Sequence, residues 1–159
     1  MIMHRFRTGY SVWGRLARIA APPNLPLTGH CLCGGVRFEV TEPLVSASYC
    51  HCTRCQRRTG TAAAASALLA PGSLRILAGE ELVTDYRPPD GFVKVFCSQC
   101  GGALWSRHPE NPQVIGVRLG TLDGDPGIRP SFRQHVASAA PWEPIPDDGL
   151  PRFPEGRPR

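Results

Sequence analysis

The 159-residue chain has no apolar run near the ~18 residues of a membrane-spanning helix, which excludes a helical integral membrane protein. Its first 24 residues never offer the ~7–15-residue apolar stretch of a secretory signal peptide. Acidic residues are absent from positions 1–19, which carry Arg5, Arg7, Arg15 and Arg18. An organelle import sequence has that composition too, but the preferred reading of residues 1–24 is a flexible N-terminal extension. No internal repeat at a solenoid period is present. The middle of the chain lacks a basic excess. The formal net charge is +5, yet residues 1–19 contribute +4 and residues 152–159 a further +2, leaving residues 20–151 at −1. A nucleic-acid-binding domain needs clustered cations in its folded part, so neither a nucleic acid nor a membrane is expected as a partner. The sequence specifies no oligomeric state.

Glycine and proline are abundant, at 17 each, so about every fifth residue punctuates the backbone. That density disfavours long helices and favours short strands joined by turns. The length suits one domain, placed at residues 25–154 after the Pro-rich break Ala20–Pro26. Val36–Val40 alternates apolar and polar residues and reads as a half-buried strand. Leu44–Tyr49, Leu74–Leu77, Leu82–Tyr86, Phe92–Phe96, Ala103–Trp105 and Val114–Leu119 read likewise, while Ala62–Ala70 is ambiguous between strand and short helix. Beyond Asp123 the chain is loop-rich, with Phe132, Val136 and Trp142 as anchors to the core. Pro151–Arg159 is expected to be disordered, with residues 155–159 a tail outside the domain. The fold class is mainly β, small and mostly antiparallel.

Seven cysteines fall into three groups: Cys31 and Cys33; Cys50, Cys52 and Cys55; Cys97 and Cys100. An odd number cannot close entirely into internal disulfides. In a reducing cytoplasm, tight clusters point to metal. Cys97-Ser98-Gln99-Cys100-Gly101-Gly102 is a knuckle whose turn aims two sulfurs at one point, and Gly101 accepts the positive φ this requires. A closed structural zinc site takes four ligands, and Cys31 with Cys33, on another Gly-rich turn, are the natural second pair. Three ligands then remain at Cys50, Cys52 and Cys55. Three protein donors with one open position is the pattern of catalytic zinc. Two rivals stand beside that reading: a redox-active dithiol, or a site closed by His30, His108 or His135. His51, between two ligands, is expected to point away. With seven thiolates and two zinc ions the net charge falls to about +2.

The chain resembles the family of glutathione-dependent formaldehyde-activating enzymes, which includes centromere-protein-V-like proteins. The resemblance rests on Gly29-x-Cys31-x-Cys33-Gly34-x-Val36-x-Phe38, Cys50-His51-Cys52-x-x-Cys55 and Phe96-Cys97-x-x-Cys100-Gly101. His135…Pro141-Trp142 with Asp148-Gly149-Leu150-Pro151 extends it, so that it covers roughly residues 27–154. It implies an Mss4-like β-tent of antiparallel sheets clamped by zinc. It also implies two Zn²⁺ per chain: a structural ion on Cys31, Cys33, Cys97 and Cys100, and a catalytic ion on Cys50, Cys52 and Cys55. The implied reaction is that of a carbon–sulfur lyase, S-hydroxymethylglutathione synthase-like, adding the thiol of glutathione to formaldehyde or a related small aldehyde. Arg54, Arg57 and Arg58 flank the triplet and could attract the carboxylates of glutathione. The alternative from another class is a zinc-stabilised β module that binds a partner or small thiol without turnover.

Overall fold

The computed structural model describes residues 24–158, so the expected N-terminal extension lies, but for Asn24, outside the described residues. Eleven strands and one helix follow in order: β1 (Leu27–His30), β2 (Arg37–Val40), β3 (Ser46–Cys50), α1 (Thr53–Thr59), β4 (Ala64–Leu68), β5 (Leu74–Ala78), β6 (Val83–Tyr86), β7 (Val93–Cys97), β8 (Ala103–Arg107), β9 (Ile115–Arg118), β10 (Arg133–Gln134) and β11 (Arg152–Phe153). The expectation of a mainly β architecture holds. A three-stranded antiparallel sheet has the order β1-β2-β5, and an eight-stranded sheet the order β11-β10-β3-β4-β9-β8-β7-β6. The larger sheet is antiparallel except where β10 pairs with β3 and β11 in parallel.

The period of two along each strand gives the larger sheet two unlike faces. Ala47, Ala67, Val117, Trp105 and Val95 sit opposite one another across β3, β4, β9, β8 and β7, and all are buried. They meet Phe38 and Val40 of the small sheet in one hydrophobic core, where the Phe38 and Trp105 rings pack edge to face at 5.5 Å. The other face is polar. Ser48 pairs with Ser66, Ser66 with Arg118, Lys94 with Ser106 and Tyr86 with Lys94. A bulge between Val95 and Phe96 sets Ala103 opposite Phe96, while the extra residue, Leu104, is fully buried.

The sequence pattern does not predict helix α1. Of its seven residues Cys55 alone is buried, so no apolar period announces it. Local capping builds it instead. Cys52 is the N-cap, its sulfur accepting from the Cys55 N–H at 3.4 Å, and Gly60 ends it in the left-handed region with its N–H on Gln56 O. Arg57 and Arg58 occupy the last turn, where the helix dipole favours cations. Ala62–Ala70 resolves to strand β4.

The C-terminal region departs further from expectation. Phe132 is buried, packing edge to face on Phe153 at 5.9 Å. Trp142, by contrast, is 64% exposed, and Ala140 two residues earlier is buried in its place. Val136 is only half-buried. Pro151–Glu155 is not loose, because backbone hydrogen bonds run from Arg133 N to Pro151 O, His135 N to Glu155 O and Ala137 N to Pro154 O. Two-residue strands paired in parallel carry no alternation to read, which is why the sequence pattern does not reveal β10 and β11.

Candidate metal centres and an adjoining cationic cavity

The first cysteine group joins the two sheets. Cys31 and Cys33 lie in the turn between β1 and β2, Cys97 ends β7, and Cys100 sits in the turn to β8. Their four sulfurs lie within 4.8 Å of one another. Gly34 (φ +73°) and Gly101 (φ +71°) turn the chain after each pair, donating to Cys31 O and Cys97 O. Backbone N–H groups serve the sulfurs. Val36 N donates to Cys31 Sγ at 3.3 Å. The Gly102 N–H, then that of Cys33, lowers the Cys100 thiol to about 6. Gly35 N–H draws Cys33 down, but the Cys31 sulfur and burial outweigh it and push Cys33 up to about 11. Four thiol donors backed by N–H groups fit a soft divalent ion closed off by protein.

The second group comes from one short segment. Cys50 ends β3, Cys52 caps α1 and Cys55 lies in its first turn, and the three sulfurs lie within 4.8 Å of one another. Crowding splits their titration. Hydrogen bonding with Cys52, then Cys55, drives the Cys50 thiol far up, and the same contact with Cys50 drives Cys52 far down. Three thiolates at this spacing repel, and a cation among them relieves that repulsion; the donor set fits zinc. Among the described residues no histidine joins either cluster. His51 is buried with Nε2 3.3 Å from Arg133 Nη1, and its Nδ1 has no partner. His30 faces Asp123 at 3.3 Å, and His108 Nδ1 accepts from the N–H groups of Glu110 and Asn111. His135, in the left-handed region, lies 3.6 Å from Glu155 and lowers Cys52 only through its field. Closure of the triplet by a histidine side chain is therefore not what the geometry shows.

Between α1 and the polar face of the larger sheet, lined by helix residues that flank Cys55 in the chain but by none of the three cysteines, opens a cavity of about 550 Å³. Arg54, Arg57 and Arg58 line it from the helix, and Tyr86, Lys94 and Phe96 from β6 and β7. Two of the three arginines are already engaged. Arg54 grips both carboxylate oxygens of Asp90, at 2.6 and 2.7 Å. Arg58 donates to Ser106 Oγ, Val95 O and Trp105 O, and burial, then repulsion from Arg118, lowers its guanidinium to about 10. Arg118 is 8% exposed; it donates to Ser66 Oγ and Ser106 Oγ and leaves Nε without a partner. Sequence reasoning missed Lys94 and Arg118. The available signal was the chain's single lysine set inside an alternating apolar strand, Val93-Lys94-Val95.

A small β domain with two thiol clusters that could each hold a metal ion, one bridging its sheets and one at the start of the helix that walls a cationic cavity, defines the class of cysteine-clustered β proteins to which the chain belongs. Residues 26–138 match the model of the family described as glutathione-dependent formaldehyde-activating enzyme. The chain belongs to that family. It is 31% identical over 116 residues to a Halomonas elongata protein named "Putative glutathione-dependent formaldehyde-activating enzyme", covering 69% of this chain and 73% of that one. The crystal structure of a Rhodobacter sphaeroides protein superposes with a TM-score of 0.52 at 28% identity, covering 79% of this chain and 98% of that one.

Proposed function

We propose that this protein is a zinc-dependent enzyme of the carbon–sulfur lyase type, joining the thiol of glutathione to formaldehyde or a related small aldehyde. The observation that carries the reading is the cluster of three cysteine donors, with no fourth cysteine, histidine or carboxylate joining it among the described residues, at the start of the helix that walls a cation-lined cavity. In this reading Cys31, Cys33, Cys97 and Cys100 hold a structural zinc, and Cys50, Cys52 and Cys55 hold the one that serves chemistry. A free thiol of pKa ≈ 8.5 is only a few per cent ionised at pH 7, and zinc at the triplet would favour the thiolate form of the substrate's sulfur.

The chain's own residues supply the rest. The short β3–α1 segment fixes the three donors at the start of the helix that walls the cavity, and Arg57 on α1 with Lys94 on β7 attracts an anionic thiol into it. Arg58 adds positive charge on the triplet's side of the cavity, and Cys55 is the one neighbour that raises its guanidinium against burial and Arg118. In the reaction the sulfur–carbon bond forms, the carbonyl π pair moves to oxygen, and the thiol proton ends on that oxygen by way of solvent. No atom is lost and no electron is transferred to an acceptor. Among the described residues no helix is long and apolar enough to cross a membrane. A reducing compartment, the cytoplasm, suits seven unpaired thiols.

The test is product formation. With zinc-loaded protein, glutathione and formaldehyde, NMR should show S-hydroxymethylglutathione forming faster than in buffer, and Cys52→Ser should return the rate to the spontaneous one. A wild-type rate equal to that in buffer would reject the enzyme and leave the binding module.

A further inference from the structure

Four cations line the cavity, and they differ in how much charge they can offer a ligand. Arg54 is neutralised by Asp90, which in turn is held below the usual carboxylate range by the same pair. Arg58 has its guanidinium donors turned into the sheet, on a hydroxyl and two carbonyl oxygens. Among the described residues neither Arg57 nor Lys94 takes part in any of the ion pairs, which involve only other residues. Arg57 is exposed on α1, whereas Lys94 is half-buried on β7.

Lys94 stands in an electrostatically unbalanced place. Across the strands it faces Tyr86 on β6 and Ser106 on β8. Arg58 reaches the same Ser106 hydroxyl from the helix, and Arg118 reaches it from β9. Burial, then repulsion from Arg58 and Arg118, works against its charge, and the thiolates of Cys55 and Cys52 work for it. Asp85, next to Tyr86, is taken up by Arg107 and Arg87. A half-buried ammonium with two guanidinium groups about it, offset by the thiolates but with no carboxylate partner among the described residues, would be further stabilised by an anion in the cavity.

We infer that Lys94, with Arg57 on the opposite wall of the cavity, receives a carboxylate of the thiol substrate, so that the site selects anionic thiols over neutral ones. The inference rests on the thiol-using reading above and names the residue that sets substrate class. The cavity's volume falls within the ~300–1,000 Å³ usual for small-molecule sites, and Phe96, Pro88 and Pro89 give it apolar walls for a peptide backbone. A charge-assisted hydrogen bond of this kind corresponds to roughly a ten- to hundredfold change in affinity.

The experiment compares glutathione with its diethyl ester, which keeps the thiol and loses both carboxylates. Calorimetric isotherms are recorded for both on zinc-loaded wild type, Lys94→Met, Lys94→Arg and Arg54→Gln, alongside formaldehyde turnover by the wild type. Zinc content and circular dichroism establish that each variant is folded. Wild type should bind the acid at least about tenfold more tightly than the ester. That preference should fall to near unity in Lys94→Met, return in Lys94→Arg and persist in Arg54→Gln. A preference kept by Lys94→Met, or one erased by Arg54→Gln, overturns the inference and leaves the enzyme reading standing. A Lys94-dependent preference without turnover does the reverse: the inference holds and the reaction is rejected. If the Lys94 variants do not fold, Arg57→Gln at its exposed position takes their place, and an unaltered preference there overturns the pairing. A wild type that binds acid and ester alike overturns the selectivity outright.

Discussion

The two cysteine clusters are built from the same side chain and placed to opposite effect. The four-cysteine cluster takes one pair from the turn between β1 and β2 and the other from the turn between β7 and β8, so it ties the small sheet to the large one. The three-cysteine cluster lies within residues 50–55, so it ties nothing distant together. Their surroundings differ as well. The four-cysteine cluster leans on the buried core through Cys31 and Cys97, both nearly inaccessible. The triplet borders the polar side of the larger sheet, where Lys94, Arg58 and Arg118 gather without a carboxylate partner among the described residues. A bridge between distant strands contributes to folding because it closes a long loop. A cluster made by one turn closes no long loop, so under the proposed reading the ion it would hold is not needed as a clamp and could serve a ligand.

This contrast can be broken by substitution. The largest effect is expected from Cys97→Ser. Structural zinc contributes about 10 kcal/mol or more to small metallodomains, as much as a whole domain's net stability. The variant should lack a cooperative thermal transition, and a native-like melt would place the clamp elsewhere. Cys52→Ser should keep a cooperative melt close to that of wild type while losing turnover; collapse of this variant would make the triplet structural too.

Smaller substitutions sharpen the comparison. Arg58→Met strips Ser106 Oγ, Val95 O and Trp105 O of a common donor, and about 1–3 kcal/mol of stability should go with it. A denaturant melt reads this, and an unchanged midpoint would show that water replaces the guanidinium without cost. The smallest effect depends on pH. Asp148 accepts from Arg133 Nη2 at 2.6 Å, and that hydrogen bond holds its carboxyl below the ordinary 3.8. A carboxyl depressed on folding stabilises the protein above its unfolded value, and the stabilisation is lost as pH falls through the folded one. The melting temperature of Asp148→Asn should therefore lie below that of wild type at pH 7, and the gap should close only below pH 3.8. A gap that persists in stronger acid would remove the ion pair as its cause.

Much of the fold is legible in the chain itself, and the legible parts share a cause. Alternation in Val36–Val40 and Phe92–Phe96 is a signal repeated at every step of the pleat, and both segments form strands within a residue or so of the expected ends. The cysteine spacings encode local turn geometry, so the grouping of all seven can be read without knowing a single contact. Helix α1 cannot, because its support is a sulfur cap and a glycine rather than an apolar stripe. The engagement of Arg54 and Arg58 is equally hidden. Asp90 lies 36 residues from Arg54, and Ser106 lies 48 from Arg58, so their partners are set by tertiary packing alone. Trp142 shows the limit of composition: a large apolar side chain in a proline-rich loop stays in water.

The division of labour between the clusters is most directly tested by counting zinc per folded chain in wild type and in Cys52→Ser, by metal analysis on protein purified without chelator. Two equivalents in the wild type and one in a variant that still melts cooperatively is the expected result. A single equivalent in both, or loss of the fold together with the metal, would contradict it.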